Sequence, residues 1–208
     1  MLDRSALELA SSQGDRLVIA DYRSDFRLHR GAIRDVDCWK FERQQDFVDK
    51  GDSWDAFCQG RWEESVRLLE EERENLREAV RQDRERNIVF HRVRVVEEPL
   101  TPYLHWELHA LRVQAEAGKE IRVIGPGAWS ALEADGPLPE VVVVGGRVLY
   151  RVLYNEAGAL DGGIRFRDPE LIKNWEGFIA ELYEGGEDIL SYFERHVAHL
   201  PPPRMKAE

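Results

Sequence analysis

The residues with the clearest capacity for acid–base or ligand chemistry lie between positions 94 and 122. Glu97, Glu98 and Glu107 supply carboxylates, and Arg94 and Arg122 are candidate counter-charges. Two carboxylates in different environments can divide the roles of general acid and general base. The same residues can equally be ion pairs that fix a loop. Their spacing does not separate a catalytic pair from structural pairs, so no catalytic residue is assigned.

A ligand site is expected beside the loop of residues 97–103. This loop follows an alternating segment typical of a strand, and parallel α/β sheets bind ligands beyond the carboxyl ends of their strands. Upstream, the segment 39–45 interleaves large apolar and polar side chains, which indicates a half-buried strand or the wall of a pocket. The sequence therefore predicts a ligand site formed by both segments, comprising Trp39, Arg43, Gln45, Arg94, Glu97, Tyr103, Trp106 and Glu107.

Two histidines have the spacing of metal ligands. His105 and His109 are four residues apart, so they share one face of a helix and can reach one ion. In the zinc-protease pattern a glutamate directly follows the first histidine, but here Trp106 takes that place. His196 and His199 would complete a site only if the terminal helix returned to the first. We therefore expect no metal site and no cofactor.

Glycines and nucleophiles give no recognisable catalytic motif. Gly125–Gly127 follows a strand, but no helix-opening Lys-Ser or Lys-Thr comes next, and Gly162-Gly163 precedes a strand. Both segments are predicted to be turns. The candidate nucleophiles lack a nucleophile elbow and a paired histidine at a known spacing; they are Ser130, Ser191, Cys38 and Cys58.

The elements that must position these residues predict an α/β fold. Residues 89–96 alternate as a strand, 101–117 have helical spacing after a Thr-Pro start, and 121–124 form a second β-branched run. These three elements predict a right-handed parallel strand–helix–strand unit. A hairpin around Gly145-Gly146, a strand at 164–167 and a helix after Asp168 complete a mixed sheet with flanking helices. An α+β arrangement is the alternative.

The chain is expected to divide into four segments. Residues 1–24 are predicted to be a short helix or a loosely held arm, and 201–208 a tail. Residues 25–87 contain an aromatic-rich strand region and a charged helix at 63–86, followed by the α/β core at 88–200. The apolar stripe of the charged helix predicts packing within the chain, or else self-association.

Charge and composition limit the classes of partner. The 40 acidic against 29 basic residues give a net charge of −11, which opposes direct nucleic-acid binding. The apolar runs are too short to span a bilayer. Two cysteines without a CxxC pair or signal peptide predict reduced thiols in a cytoplasmic protein. A small-molecule ligand, a protein partner or a homodimer is compatible with this composition.

Several strings resemble an uncharacterised actinobacterial family known as a domain of unknown function. They are CWKFERQQDF, SWDAFCQGRWEES, VRVVEEPLTPYLHWEL, EADGPLPEVVVVGGRVLY and DGGIRFRDPELI. The resemblance covers most of residues 25–200. It implies a soluble protein, and because some members are encoded beside helix-turn-helix regulators or biosynthetic genes, it also implies a regulatory or accessory role.

The element order is also similar to one half of the phospholipase-D-like fold, which includes degenerate versions that sense effectors in sugar-responsive regulators. The phospholipase D signature requires a lysine two residues after its histidine. Neither HWELH at 105–109 nor HRGAIRD at 29–35 supplies it, which disfavours a phosphodiesterase.

Two functions follow as hypotheses. The first is a small-molecule-binding or regulatory accessory protein without a recognisable catalytic motif. The alternative is an enzyme of specialised metabolism that uses Glu, His and Arg side chains around residues 94–107.

Overall fold

A computed structural model of the protein describes residues 4–125, 127, 130–134 and 136–203. Its strands are β1 (Asp15–Val18), β2 (Cys38–Glu42), β3 (Phe90–Val95), β4 (Glu120–Ile124), β5 (Val141–Val144), β6 (Val148–Tyr154), β7 (Leu160–Phe166) and β8 (Glu187–Asp188). Its α-helices are α1 (Ile19–Ala32), α2 (Asp52–Cys58), α3 (Trp62–Glu71), α4 (Arg73–Glu85), α5 (Pro102–Glu116), α6 (Pro169–Gly185) and α7 (Ile189–His196). Short 3-10 helices cover Arg4–Leu7, Ser11–Gln13 and Ser130–Glu133.

The strands form a single mixed sheet in the order β1-β7-β6-β5-β2-β3-β4-β8. The predicted strand–helix–strand unit is confirmed, because β3 and β4 are parallel neighbours joined by α5. The Thr101 hydroxyl accepts a hydrogen bond from the Leu104 backbone N–H at 3.0 Å, and Pro102 opens the helix. Strand β2 is parallel to β3 on its other side, and the remaining pairs are antiparallel. The α/β class with a mixed sheet is therefore confirmed.

The predicted hairpin is also present. Strands β5 and β6 are antiparallel, and Gly145 and Gly146 between them have φ values of +57° and +61°. Such backbone angles suit glycine in a two-residue turn. The carboxylate of Asp168 accepts a hydrogen bond from the Leu171 backbone N–H at 2.8 Å and caps α6 as predicted.

The prediction that Gly162-Gly163 forms a turn is wrong, because both glycines lie inside β7. Gly162 has φ +129°, and a Cβ atom there would lie 2.2 Å from the carbonyl oxygen of Leu17. A Cβ atom at Gly163 would lie 2.9 Å from the ring of Tyr22. The glycines are needed because β1 and α1 approach this strand too closely for a side chain.

Two predictions on the amino-terminal half need correction. The charged helix expected at 63–86 is two helices, since α3 ends at Glu71 and α4 begins at Arg73. Residues 4–18 are not a loose arm: β1 pairs with β7, and Leu7 and Leu9 are buried in the core. The proposed division into four segments stays a prediction. Pro126 of the expected Gly125–Gly127 turn and tail residues 204–208 lie outside the described residues.

The two cysteines are free thiols, with Cys38 buried and Cys58 exposed. Burial raises the pKa of the Cys38 thiol to about 11, so this side chain is protonated at neutral pH. Among the helices that the structure describes, none is both long and apolar enough to cross a membrane.

The two faces of the sheet are covered differently. Helix α6 packs on one face, where Phe41, Val93 and Val95 contact an apolar core that includes Trp175 and Ile179. Because side chains alternate along a strand, the intervening residues of β2 and β3 lie on the opposite face. That face carries α1, α5 and α7, and its central residues are Lys40, Glu42, Arg92 and Arg94.

Candidate functional site

A cleft opens on the charged face of the sheet, between α1 and α5. It comprises two cavities of about 670 Å³ and 390 Å³. Tyr22 and Phe26 of α1 line the smaller cavity, and Tyr103, Trp106 and Glu107 of α5 line the larger one. The cavities adjoin, since both are lined by Lys40, Arg92, Gln114, Tyr154 and Leu160. We call the whole space the α1–α5 cleft.

Aromatic rings form one wall of the α1–α5 cleft. The ring of Phe47 lies 4.6 Å from that of Tyr154 and 5.4 Å from that of Tyr103. Trp54 of α2 packs edge-on against Trp106 at 5.1 Å. Ring contacts at these distances fix the rings relative to one another. The wall therefore offers apolar contact area in a defined shape.

Two serines anchor this wall to α5. The hydroxyls of Ser53 and Ser65 are 3.0 Å apart, and the indole N–H of Trp106 donates to both oxygens at 3.1 Å. Each serine hydroxyl also donates to the other serine's backbone carbonyl. Because Ser65 is fully buried, these bonds are shielded from water and hold α2 and α3 against α5.

The floor of the cleft contains a buried ion pair. The Arg94 Nε atom donates to the Glu107 carboxylate at 2.7 Å, and the Arg94 side chain is 0% exposed. Its Nη1 atom donates to the backbone carbonyls of Glu42 at 3.3 Å and Val95 at 3.1 Å. Its Nη2 atom is buried and has no partner among the described residues. Burial raises the pKa of Glu107, and the charge of Arg94 opposes this shift.

Two cations share one carboxylate beside that pair. Lys40 forms a short ion pair with Glu42, and the Arg92 Nε atom lies 3.3 Å from the same carboxylate. Burial alone raises the pKa of Glu42, but Arg92 and Lys40 outweigh burial and lower the pKa to about 2. Glu42 is therefore ionised at neutral pH. In the described part of the chain, the Arg92 side chain makes this ion pair but no hydrogen bond.

A second carboxylate near Glu42 is perturbed in the opposite direction. The Oε1 atom of Glu140 accepts hydrogen bonds from the backbone N–H groups of Arg43 and Gln44, each at 2.6 Å. Its Oε2 atom is buried without a partner among the described residues. Burial, with the charge of Glu42, raises the pKa of Glu140 to about 7. This group therefore exchanges its proton near neutral pH.

The structure divides the eight sequence-predicted site residues among three places. Tyr103, Trp106 and Glu107 line the α1–α5 cleft, with Arg94 directly behind Glu107. Of the two candidate counter-charges, Arg94 thus pairs with Glu107.

A second group lies at the carboxyl ends of β2 and β3. The Arg43 side chain pairs with Glu97 at 2.6 Å and with Glu133 at 2.8 Å. Gln45 accepts from the Glu97 backbone N–H at 2.8 Å. These residues line a separate cavity of about 1210 Å³.

Trp39 stands apart from both groups, on the face of the sheet covered by α6. Its ring stacks on His91 at 4.1 Å, and its indole N–H donates to Glu176 at 3.1 Å. Trp39 therefore does not join the loop 97–103 in a pocket.

The two histidines of α5 pack against an aromatic ring. The rings of His105 and His109 lie 5.6 Å apart, and both contact the ring of Trp62. Burial lowers the pKa of His109 to about 4, so this ring is neutral at pH 7. His196 lies near Glu98 instead. Within the described ranges, no group of three or more His, Cys, Asp and Glu side chains is arranged to hold a metal.

Sequence reasoning missed several residues of the cleft. The missed residues include Tyr22, Phe26, Lys40, Glu42, Arg92 and Tyr154. The alternation of residues 89–96 does place Arg92 and Arg94 on one strand face. The missing information was that β2 pairs in parallel with β3, which sets Lys40 opposite Arg92 and Glu42 opposite Arg94.

Comparison with known proteins gives a family and no curated relative. The model of a family described as Domain of unknown function (DUF6879) matches residues 27–194. A search of curated proteins finds no match. The matched range contains β2 to α6 and all the residues of the buried charged floor. The chain therefore belongs to the DUF6879 domain family.

Proposed function

We propose that this protein binds a small molecule in the α1–α5 cleft and acts as an accessory protein. The observation that carries the proposal is a cleft lined by aromatic rings whose floor is made of buried, paired charges. Ligand sites combine apolar contact area with a few fixed polar groups in this way.

The energetic argument concerns the cost of the charged floor. Burying an ion pair such as Arg94–Glu107 contributes little stability compared with apolar residues of similar size. Three buried atoms of this cluster lack hydrogen-bond partners in the described part of the chain: Arg94 Nη2, Glu42 Oε2 and Glu140 Oε2. Buried polar atoms without partners are rare in proteins, and they concentrate at functional sites.

A regulatory role extends the same proposal. The resemblance to a family of which some members are encoded beside helix-turn-helix regulators or biosynthetic genes supports an effector-sensing accessory protein. The likeness of the element order to degenerate phospholipase-D-like sensors is an analogy of topology that points the same way. The net charge of −11 favours action through a protein partner rather than through direct contact with nucleic acid.

An enzyme is the second candidate, and one observation favours it. Glu107 lines the cleft, and Glu140 lies near its floor; burial raises the pKa of both. Carboxylates with raised pKa values are suited to proton transfer near neutral pH. An enzyme would convert its ligand into a different compound, whereas a binding protein would return it unchanged.

Native mass spectrometry tests the proposal. The protein is incubated with a small-molecule extract of cells, and the mass of the bound species is measured. Ala110 lines the cleft, so Ala110→Trp should fill it and abolish the adduct. Ala20 is exposed on α1, so Ala20→Trp is the matched control and should retain the adduct. Absence of an adduct on the unchanged protein, or an equal adduct on Ala110→Trp, would refute the proposal.

A further inference from the structure

The charges at the junction of the two cavities indicate what class of ligand the cleft takes; this inference rests on the proposed function. Lys40 and Arg92 line both cavities, so they lie where a ligand spanning them must pass. Both cations form ion pairs with the same carboxylate, that of Glu42. One positive charge at this junction is therefore uncompensated.

The neighbouring charges do not cancel it. Arg94 and Glu107 already form a pair, and Glu140 lines neither cavity. Four further acidic residues line the larger cavity, but all are exposed at its rim: Asp49, Asp52, Glu71 and Glu72. Water screens charges at such positions far more than charges on a partly buried floor.

The unused hydrogen-bond donors of Arg92 also favour an anion. Arg92 Nε lies 3.3 Å from Glu42, but in the described part of the chain the Arg92 side chain makes no hydrogen bond, so the planar fork of its donors is available to a ligand. Such a fork matches the two oxygens of a carboxylate. A cationic ligand would have to displace Lys40 or Arg92 from Glu42. A single uncompensated charge also fits a monoanion better than a dianion.

The smaller cavity extends from this junction between apolar and aromatic side chains. They are Tyr22, Phe26, Phe90, Ile121, Val142, Val152, Tyr154 and Leu160. Aromatic side chains on facing elements favour a planar apolar group over a flexible polar one.

We propose that the α1–α5 cleft binds an aromatic carboxylate. Its carboxylate lies on Arg92 and Lys40, and its ring enters the smaller cavity between α1 and the sheet. Polar groups elsewhere on the ligand reach the larger cavity beside Glu107 and Gln114.

Isothermal titration calorimetry with three probes of one shape tests the class. The probes are 2-naphthoate, its neutral amide 2-naphthamide, and the cation 2-naphthylmethylamine. On the unchanged protein, the dissociation constant of 2-naphthoate should be lower than those of both comparators by about tenfold, because they lack the anionic group. Tighter or equal binding of the amide or amine, or absence of naphthoate binding, would overturn the proposal.

Variants of Arg92 and Lys40 test whether these residues contact the carboxylate of the ligand. Arg92→Gln should weaken naphthoate binding by about tenfold and leave the weak binding of the amide unchanged. Arg77→Gln changes an exposed arginine of α4 and is the matched control. Lys40→Gln provides a second variant if Arg92→Gln does not fold. Equal naphthoate affinity in folded Arg92→Gln or Lys40→Gln and in the control would overturn the assigned contact.

Failure of this inference is distinguishable from failure of the proposed function. If the amine binds best while a native adduct is present, the cleft binds a ligand of another class. If no probe binds and no adduct is found, both proposals fail.

Discussion

Strands β2 and β3 present two different surfaces to the two sides of one sheet. Phe41 and Val93 face α6 and are 0% exposed within an apolar core. Their neighbours Glu42 and Arg94 face α5 and are also buried, at 5% and 0% exposure, but among ion pairs. The residues on the two faces are thus buried to a similar extent, but those facing α6 are apolar and those facing α5 are charged.

The two faces of the sheet therefore have different roles: one stabilises the fold, and the other would contact a ligand. Apolar burial contributes about 25 cal/mol per Å² without requiring any partner geometry. Buried charges must be paired, and removing one partner is costly. The α6 face therefore accounts for stability, and the charged face accounts for the fixed geometry of the α1–α5 cleft.

The largest expected effect comes from breaking the buried pair. Arg94→Met leaves Glu107 without its partner, and we expect the free energy of unfolding to fall by about 3–5 kcal/mol. The double variant Arg94→Met/Glu107→Leu removes both charges and should recover most of this loss. Urea denaturation measures both. A double variant as unstable as the single one would show that the pair itself stabilises the fold.

A core truncation on the other face should affect stability alone. Ile179 is fully buried on α6, and Ile179→Ala should lower the free energy of unfolding by about 3 kcal/mol through lost burial and a cavity. Under conditions where this variant is folded, its affinity for 2-naphthoate should equal that of the unchanged protein. An altered affinity, measured by calorimetry, would mean that the two faces are coupled.

The pH dependence of stability should come from the charged face. Glu140 has a pKa raised from 4.5 to about 7, so the folded chain binds this proton more tightly than the unfolded chain. The stability that protonated Glu140 contributes is therefore fully present below about pH 4.5 and is lost as the pH rises through about 7. The Gln side chain of Glu140→Gln cannot ionise. From pH 5 to pH 8, the free energy of unfolding of this variant should therefore rise by about 2 kcal/mol relative to that of the unchanged protein.

Urea denaturation at both pH values checks this expectation. The amide oxygen of Gln can still accept from the Arg43 and Gln44 backbone N–H groups. Glu63→Gln, at an exposed position of α3, is the matched control. If the difference in stability between Glu140→Gln and the unchanged protein did not change with pH, the raised pKa of Glu140 would be contradicted.

The smallest effect is expected for an exposed arginine. Arg81 pairs with Glu78 and Glu85 on the solvent side of α4, where its side chain is 64% exposed. Exposed pairs are screened by water and contribute little, so Arg81→Met should change the free energy of unfolding far less than Arg94→Met does. It is the matched control for Arg94→Met. A loss comparable to that of Arg94→Met would remove the distinction between buried and surface pairs.

Local signals made much of the fold predictable. Thr101 and Pro102 start α5, Gly145-Gly146 turns the hairpin, and Asp168 caps α6, as residues of these types do in many folds. Each signal acts within a few residues, so it can be recognised without knowledge of the tertiary structure.

The arrangement of the cleft was not predictable in the same way. Lys40 and Arg92 are neighbours only because β2 and β3 pair in parallel, although about fifty residues and three helices separate the two strands. No local pattern fixes such a pairing. The expected site therefore joined Trp39 to the loop 97–103, whereas strand alternation places Trp39 on the face that α6 covers.

Fluorine NMR of protein labelled with 3-fluorotyrosine tests the contrast between the faces most directly. Tyr22 and Tyr154 line the smaller cavity, whereas Tyr183 lies on the α6 face. Resonances are assigned with single Tyr→Phe variants, and 2-naphthoate is then added. We expect the Tyr22 and Tyr154 signals to shift and the Tyr183 signal to stay. A shift confined to Tyr183, or no shift at all, would contradict a ligand site on the charged face.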